Sequence, residues 1–285
     1  MNRNSFRVDR MATLHVAGPL RRIINKERDS AVPVLMYHSI SDPDDRFLHP
    51  YFETSTSSRV FEEQMKYLSD NGYSSIGLNE LPTAVNNGSS TDKFVVLTFD
   101  DGCRDFCDSA FSILEKYGFK ATVFLATGLM GTKRSPLVGR EIMDWSDAQK
   151  LQKQGIMFGS HTVNHRILKK LTWKDMEYEL RISKEEIESR LGKLVDSFSY
   201  PYAYPEECPA FEKIFFHTLS NCGYRFAVTT VIGRVAIGDN PLALKRLPIN
   251  EYDDPVFFKA KLEGAYDWVH LLQYFRKKCF GWVGA

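Results

Sequence analysis

Short, largely apolar runs recur along the chain, and segments of helical spacing separate them. The runs are 32–38 (VPVLMYH), 94–99 (FVVLTF), 119–127 (FKATVFLAT), 156–160 (IMFGS), 194–200 (LVDSFSY), 224–230 (YRFAVTT) and 244–250 (LKRLPIN). Their length and bounding turn residues predict strands, several of them apolar throughout and so buried on both faces. Between them, 59–71 places Phe61, Met65 and Leu68 on one helical face before Gly72, and 103–118 ends at Gly118. The stretches 145–155, 172–192 and 211–223 also read as helices. Strands alternating with helices imply a parallel sheet with helical crossovers. Seven strands favour a closed, distorted (β/α) barrel over an open sheet, although periodicity alone does not separate the two. The 285 residues fit one such domain.

The pattern divides the chain into a polar, basic lead-in over 1–30, a barrel over 31–252 and a helical extension over 253–285. The lead-in reads as loose or weakly helical. In the extension, Trp268, Leu271, Leu272 and Phe275 share helical spacing, which predicts a helix docked on the barrel. Arg276, Lys277 and Lys278 beside them keep a membrane-surface or partner-binding helix as the second reading.

The informative polar residues lie where the apolar runs stop. FVVLTF runs into Asp100, Asp101 and Gly102; IMFGS runs into His161, with His165 four residues on; PVLMY runs into His38; FSY runs into Pro201 and Tyr202. In parallel α/β architectures the C-terminal strand ends share one face, and that face carries the active site. Two histidines and one carboxylate are a common catalytic metal set that leaves a further position for water. A second carboxylate beside them can take that water's proton, and Gly102 lets the backbone turn sharply after the pair. Each signal has a plain reading by itself. An Asp-Asp-Gly is often a turn, His-x-x-x-His often a surface or core pair, and His38 a satisfied core histidine. Their common position after strands is what joins them.

Charge and cysteines narrow the classes. With 37 Lys+Arg against 36 Asp+Glu and no long basic run, nothing points to a nucleic-acid partner, and the expected ligand is neutral or small. Five irregularly spaced cysteines do not form a disulfide framework, and Cys103 and Cys107 read as packed on a helix. The lead-in lacks the roughly 7–15-residue apolar run of a signal peptide. No segment approaches the roughly 18 apolar residues of a membrane span. The expected location is therefore the cytoplasm, with the membrane surface as an alternative.

Thr98-Phe99-Asp100-Asp101-Gly102, Ser160-His161-Thr162-Val163-Asn164-His165 and Phe198-Ser199-Tyr200-Pro201-Tyr202 together resemble the leading motifs of the polysaccharide deacetylase family (carbohydrate esterase family 4, the NodB homology domain). The resemblance covers about 32–250. It implies a seven-stranded barrel with a divalent metal, most often zinc, held by Asp101, His161 and His165, and Asp100 as the base. The backbone N–H of Tyr202 would face the oxyanion, with Tyr200 and Pro201 in the same turn. Two departures stand out. Ser199 occupies the position of the family's arginine that orients the base, and no Leu-x-x-His motif follows Leu247. Met36-Tyr37-His38 and Met143-Asp144-Trp145 are instead similar to the permuted branch containing poly-N-acetylglucosamine deacetylases, which makes His38 the candidate acid. Arg246 is the candidate substitute for the arginine, since a second strand can bring a guanidinium to this face; a surface-paired arginine is the plainer alternative. Trp145 is expected either to shape the pocket floor or to pack against the barrel.

The activity implied is removal of an N-acetyl group from an amino sugar in a cell-envelope poly- or oligosaccharide or a glycoconjugate precursor. A small non-polymeric amide is the alternative substrate. A sugar-binding protein that no longer catalyses is the alternative of another class, suggested by Ser199.

Overall fold

A computed structural model describes residues 7–24, 31–42, 53–87, 93–135 and 139–280. The chain enters through α1 (Val8–Ala12), a π-turn and α2 (Gly18–Ile24). Then come β1 (Val34–Tyr37), the short parallel pair β2 (Ser39–Ile40) and β3 (Ser55–Thr56), α3 (Ser58–Asp70), β4 (Ser74–Ser75) and α4 (Leu81–Asn87). The repeating part continues as β5 (Phe94–Phe99), α5 (Phe111–Tyr117), β6 (Thr122–Leu125), α6 (Trp145–Lys153), β7 (Met157–Ser160), α7 (Trp173–Leu191), β8 (Ser197–Ser199), α8 (Pro209–Asn221), β9 (Phe226–Ile232) and β10 (Leu244–Pro248). Helices α9 (Pro255–Leu262) and α10 (Val269–Phe280) end the described chain. Strand β1 pairs with both β10 and β5, so β1, β5, β6, β7, β8, β9 and β10 close into a seven-stranded parallel barrel; β4 pairs in parallel with the first residues of β5.

Both faces of these strands are buried, which is why they read as unbroken apolar runs. Val34, Val96, Phe124, Phe226, Val228 and Leu244 form one cluster, while Leu35, Tyr37, Val95, Leu97, Phe99, Val123 and Phe198 pack in the cluster shared with the helices. Alternation therefore puts Thr98 and Asp100 on the same side as Val96, and Arg246 on the same side as Leu244, toward the C-terminal end of the barrel. Four of the helices are capped locally at their N-termini. Ser57, Thr172 and Asp254 accept backbone N–H groups at the starts of α3, α7 and α9, and Asp144 and Asp147 form a capping box on α6.

Three expectations change. The helix expected over 103–118 opens as a π-turn over Phe106–Ala110 and is α-helical only over Phe111–Tyr117. The described part of the lead-in is ordered against the other end of the chain. Asp9 Oδ2 accepts the Tyr266 hydroxyl (3.0 Å), Thr13 Oγ1 accepts Trp268 Nε1–H (3.1 Å), and Arg10 pairs with Asp254 (2.7 Å); residues 1–6 and 25–30 lie outside the described residues. Helix α10 does dock on the barrel, with Val269 in the core and Trp268 packed against it, but beyond its first turn through polar groups. Gln273 bonds the Ile232 N–H and the Thr230 carbonyl, and Glu206 pairs with His270 (2.7 Å) and Lys277 (2.8 Å). Leu271, Leu272 and Phe275 point outward, with more than half of each exposed. No described helix is long and apolar enough to cross a membrane.

Candidate active site

Three turns at the C-terminal ends of β5, β7 and β8 build the site. Among the described residues, the only non-glycine residues with left-handed φ are Asp101 (72°), Thr162 (70°), His165 (50°) and Tyr202 (59°), all within these turns. Such backbone costs of order 1 kcal/mol or more per residue and persists only where surrounding contacts hold it. At Gly102 (φ 68°) a side chain would be strained by the left-handed backbone, and its Cβ, 2.8 Å from a Leu125 methyl, would force that methyl to shift.

Asp101, His161 and His165 converge. His161 Nε2 is 3.1 Å from His165 Nε2, and Asp101 Oδ1 is 3.5 Å from the former and 3.3 Å from the latter. Asp101 and His161 are buried and His165 is half-buried. The donor chemistry and spacing suit a small divalent cation. Tetrahedral zinc with ligands at about 2.0–2.1 Å places neighbouring ligand atoms about 3.3–3.4 Å apart. The His161 tautomer fits as well. Its Nδ1 lies 2.7 Å from the Ser199 carbonyl, which can only accept, so Nδ1 carries the hydrogen, and in the neutral ring Nε2 is the lone-pair nitrogen facing the cluster. Burial works against charge on both rings. It prevails at His165, where together with the His161 charge it lowers the pKa to about 4. At His161 the Asp100 and Asp101 carboxylates outweigh burial and raise the pKa above its ordinary value.

Asp100 stands beside this cluster, held by Arg246. The fully buried guanidinium donates from Nη1 to Oδ1 (2.9 Å) and from Nη2 to Oδ2 (2.7 Å), a bidentate pair. Its remaining bonds go to the Thr229 carbonyl, Thr98 Oγ1 and Ser199 Oγ. Arg246 thus reaches Asp100 from β10, and Ser199, small and hydroxylated, helps receive it. Burial pushes the Asp100 carboxyl up, but the guanidinium outweighs it and holds the group well below the usual carboxylate range. Asp101 is also lowered, burial being outweighed by the histidines around it.

His38, half-buried after β1, is near enough for its charge to favour the ionised forms of Asp100 and Asp101 and to disfavour that of His165. The segment that follows it is tied to the turn after β5, where Asp105 accepts the Ser39 hydroxyl (2.5 Å) and the Ile40 N–H (3.1 Å). The Tyr202 ring centre lies 4.7 Å from that of His165, and Pro201 is buried beside it.

Two expected site residues lie elsewhere. Tyr200 points outward from β8 into the core, 5.0 Å from the Tyr204 ring and 5.4 Å from the Phe215 ring, because alternation turns it away from Ser199. Trp145 begins α6 with the Arg190 guanidinium 5.7 Å from its ring centre, packed on the core. Its packing reading is the one realised. One residue escaped the sequence reading. Glu179 of α7 is buried, and its carboxylate accepts the Val163 N–H (2.9 Å), the Asn164 N–H (2.8 Å) and Asn164 Nδ2–H (2.9 Å). The available signal was an acid among the core-facing positions Met176, Leu180, Ser183 and Ile187.

A parallel seven-stranded barrel with carboxylates and imidazoles gathered at its C-terminal face has the NodB-like architecture of carbohydrate-deacetylating hydrolases. Comparison with known proteins carries the assignment further. The profile of the polysaccharide deacetylase family matches residues 87–227. YxkH of Bacillus subtilis, which bears the polysaccharide deacetylase name, is 30% identical over 243 residues, covering 84% of this chain and 79% of its own. A poly-β-1,6-N-acetyl-D-glucosamine N-deacetylase of Staphylococcus aureus is 26% identical over 157 residues, covering 52% of this chain and 53% of its own. Among solved structures, the Streptococcus pyogenes deacetylase PplD in complex with acetate superposes with a TM-score of 0.68 at 25% identity, covering 81% of this chain and 98% of that one. The chain belongs to the polysaccharide deacetylase family, and it is a hydrolase of the carbohydrate N-deacetylase class.

Proposed function

We propose that this enzyme uses a divalent metal, zinc, to remove N-acetyl groups from amino sugar residues of a poly- or oligosaccharide or of a glycoconjugate precursor. Asp101, His161 and His165 would hold the ion. When bound, it supplies Lewis acidity that acidifies water and polarises the amide carbonyl. Asp100, kept ionised by Arg246, takes the proton of the attacking water as the new C–O bond forms. The Tyr202 N–H donates to the oxygen on which charge develops. His38 donates a proton to the nitrogen as the C–N bond breaks, giving acetate and a free amine. The observation that carries this reading is the triangle of donor atoms 3.1–3.5 Å apart, with the Arg246-bound Asp100 beside it.

The acetate bound to PplD and the poly-N-acetylglucosamine substrate in the name of the Staphylococcus relative support the acyl group and sugar class. The argument for an inactive binding protein rested on Ser199, and the bidentate bond from Arg246 supplies the guanidinium that Ser199 lacks. We take 31–252 as the catalytic barrel, with 1–30 and 253–285 as extensions. The test is a pair of variants: Asp100→Asn should retain zinc and lose turnover, whereas His161→Ala should lose both. An active Asp100→Asn enzyme would refute the mechanism, and a metal content unchanged by His161→Ala would refute the ligand set.

A further inference from the structure

We infer that Glu179 is a positioning residue for the metal centre, acting through the backbone that carries His165; this rests on the metal-holding role proposed above. The two histidines are aimed by different means. His161 is fixed through its own ring, by the bond from Nδ1 to the Ser199 carbonyl. His165 has no such bond, since its buried Nδ1 is without a partner among the described residues. A metal-binding histidine ordinarily gains its orientation from a partner on the second ring nitrogen. For His165 the orientation comes instead from ring packing, with the Tyr202 and His161 ring centres each 4.7 Å away, and from the main chain that carries it.

The main chain there is unusual and well held. Thr162 and His165 are both left-handed, and the two residues between them, Val163 and Asn164, direct consecutive N–H groups at Glu179 Oε2 while the Asn164 amide meets Oε1. The other side of the same turn is held by Gly128 N–H on the Val163 carbonyl (2.8 Å) and Thr127 N–H on the Thr162 carbonyl (3.1 Å). His165 N–H closes it on Thr162 Oγ1 (2.9 Å). Among the described residues Glu179 makes no ion pair. Three N–H donors hold its buried carboxylate, and hydrogen bonds to a charged acceptor are about twice as strong as neutral ones. These bonds offset the cost of the left-handed residues and set where the His165 Nε2 points.

Glutamine cannot reproduce this arrangement. One end of its amide is a donor, and it would face either the two backbone N–H groups or Asn164 Nδ2. Turning the Asn164 amide to offer its oxygen instead would carry Nδ2 to the side facing Gly128, where Oδ1 now lies. A purely structural Glu179 would predict lost stability with unchanged metal binding. The positioning role predicts weaker metal binding.

The experiment measures zinc affinity by competition with a chromophoric chelator, together with melting of the metal-free protein, for wild type, Glu179→Gln, Asn164→Ala and Ile187→Val. Ile187 is buried on the same helix, so its substitution lowers stability without touching the turn. Glu179→Gln should weaken zinc binding by about 10–100-fold, the usual range for partners that orient metal ligands. Asn164→Ala, which removes one of the three bonds, should weaken it less, and Ile187→Val should lower the melting temperature while leaving affinity unchanged. Should Glu179→Gln fail to fold, Asn164→Ala decides. Affinity at the wild-type level in the folded turn variants, or an equal loss in Ile187→Val, would overturn the inference. Absence of zinc binding in the wild type would overturn the metal reading of the site itself.

Discussion

Replacing Arg246 by methionine gives a prediction whose size follows from the structure. The side chain is fully buried and makes a bidentate bond to Asp100, so the substitution keeps much of the apolar volume and leaves a buried carboxylate without its countercharge. Breaking a buried pair in this way costs about 3–5 kcal/mol. With about 2.1 cal/mol/K of unfolding entropy per residue over 285 residues, that corresponds to a melting temperature lower by roughly 5–8 °C.

The pH dependence is as informative as the magnitude. In the wild type the Asp100 pKa is depressed, so its stabilising contribution is present above about pH 3.9, the ordinary aspartate value, and is lost only as pH falls through the lower folded-state value. In Arg246→Met burial is opposed only by the charges on His161 and His38, so the folded-state pKa rises and the ionised carboxyl costs more stability above about pH 4. The stability gap between the two proteins should therefore narrow as pH is lowered toward that value. Activity should follow the same shift. An Asp100 that has lost the guanidinium which orients it and favours its ionised form is a poorer base, so deacetylation should fall by about 10²–10³-fold, within the range attributed to general-base catalysis, with the acid limb of the activity profile moved to higher pH. Acetate release across a pH series and thermal melts over the same series check both. A variant with wild-type melting and an unshifted activity profile would refute the role given to Arg246.

Other outcomes follow from the same geometry. In the metal-free protein His161 has a raised pKa, so at about pH 6 it is largely protonated and zinc must displace that proton; calorimetry in buffers of different ionisation enthalpy should show proton release that shrinks as pH rises, and release independent of pH would contradict the assignment. His38→Ala should retain zinc and lower turnover by about 10²–10⁴-fold, with a smaller loss on amides whose leaving nitrogen needs no proton; equal losses on both would remove His38 as the acid. Tyr202→Gly preserves the backbone N–H and suits the left-handed φ of 59°, so it should keep turnover within about tenfold, measured as acetate release. A much larger loss would assign the role to the Tyr202 side chain.

The barrel was legible because each of its strands is covered on both faces, which writes an uninterrupted apolar run into the sequence and marks its end with the first polar residue. Asp100, Asp101, His161, His165 and His38 all stand at such ends. What the runs do not reveal is which strands meet across the barrel. Arg246 could be named as a candidate for the Asp100 face, but its contact depends on the closure of β10 on β1 and β5 on β1, which no local pattern encodes. Strand parity was available and would have separated Ser199, facing inward, from Tyr200, facing the core. Helix α10 exposes a different limit. The spacing of Leu271, Leu272 and Phe275 marks a helix, yet the face that docks uses Gln273 and Lys277, whose partners Thr230, Ile232 and Glu206 come from distant parts of the chain. The π-turn at Phe106–Ala110 likewise has no signature in spacing.

The most direct test of metal-dependent N-deacetylation is acetate release from N-acetylglucosamine oligosaccharides by purified enzyme that has been stripped with a chelator and then titrated with zinc. The expected result is no release by the stripped enzyme, recovery that saturates at one zinc per chain, and one free amine formed for each acetate, with Asp101→Asn inactive at all zinc concentrations. Full activity in the stripped enzyme, or zinc-loaded wild type that releases no acetate from any N-acetylated sugar, would contradict the account.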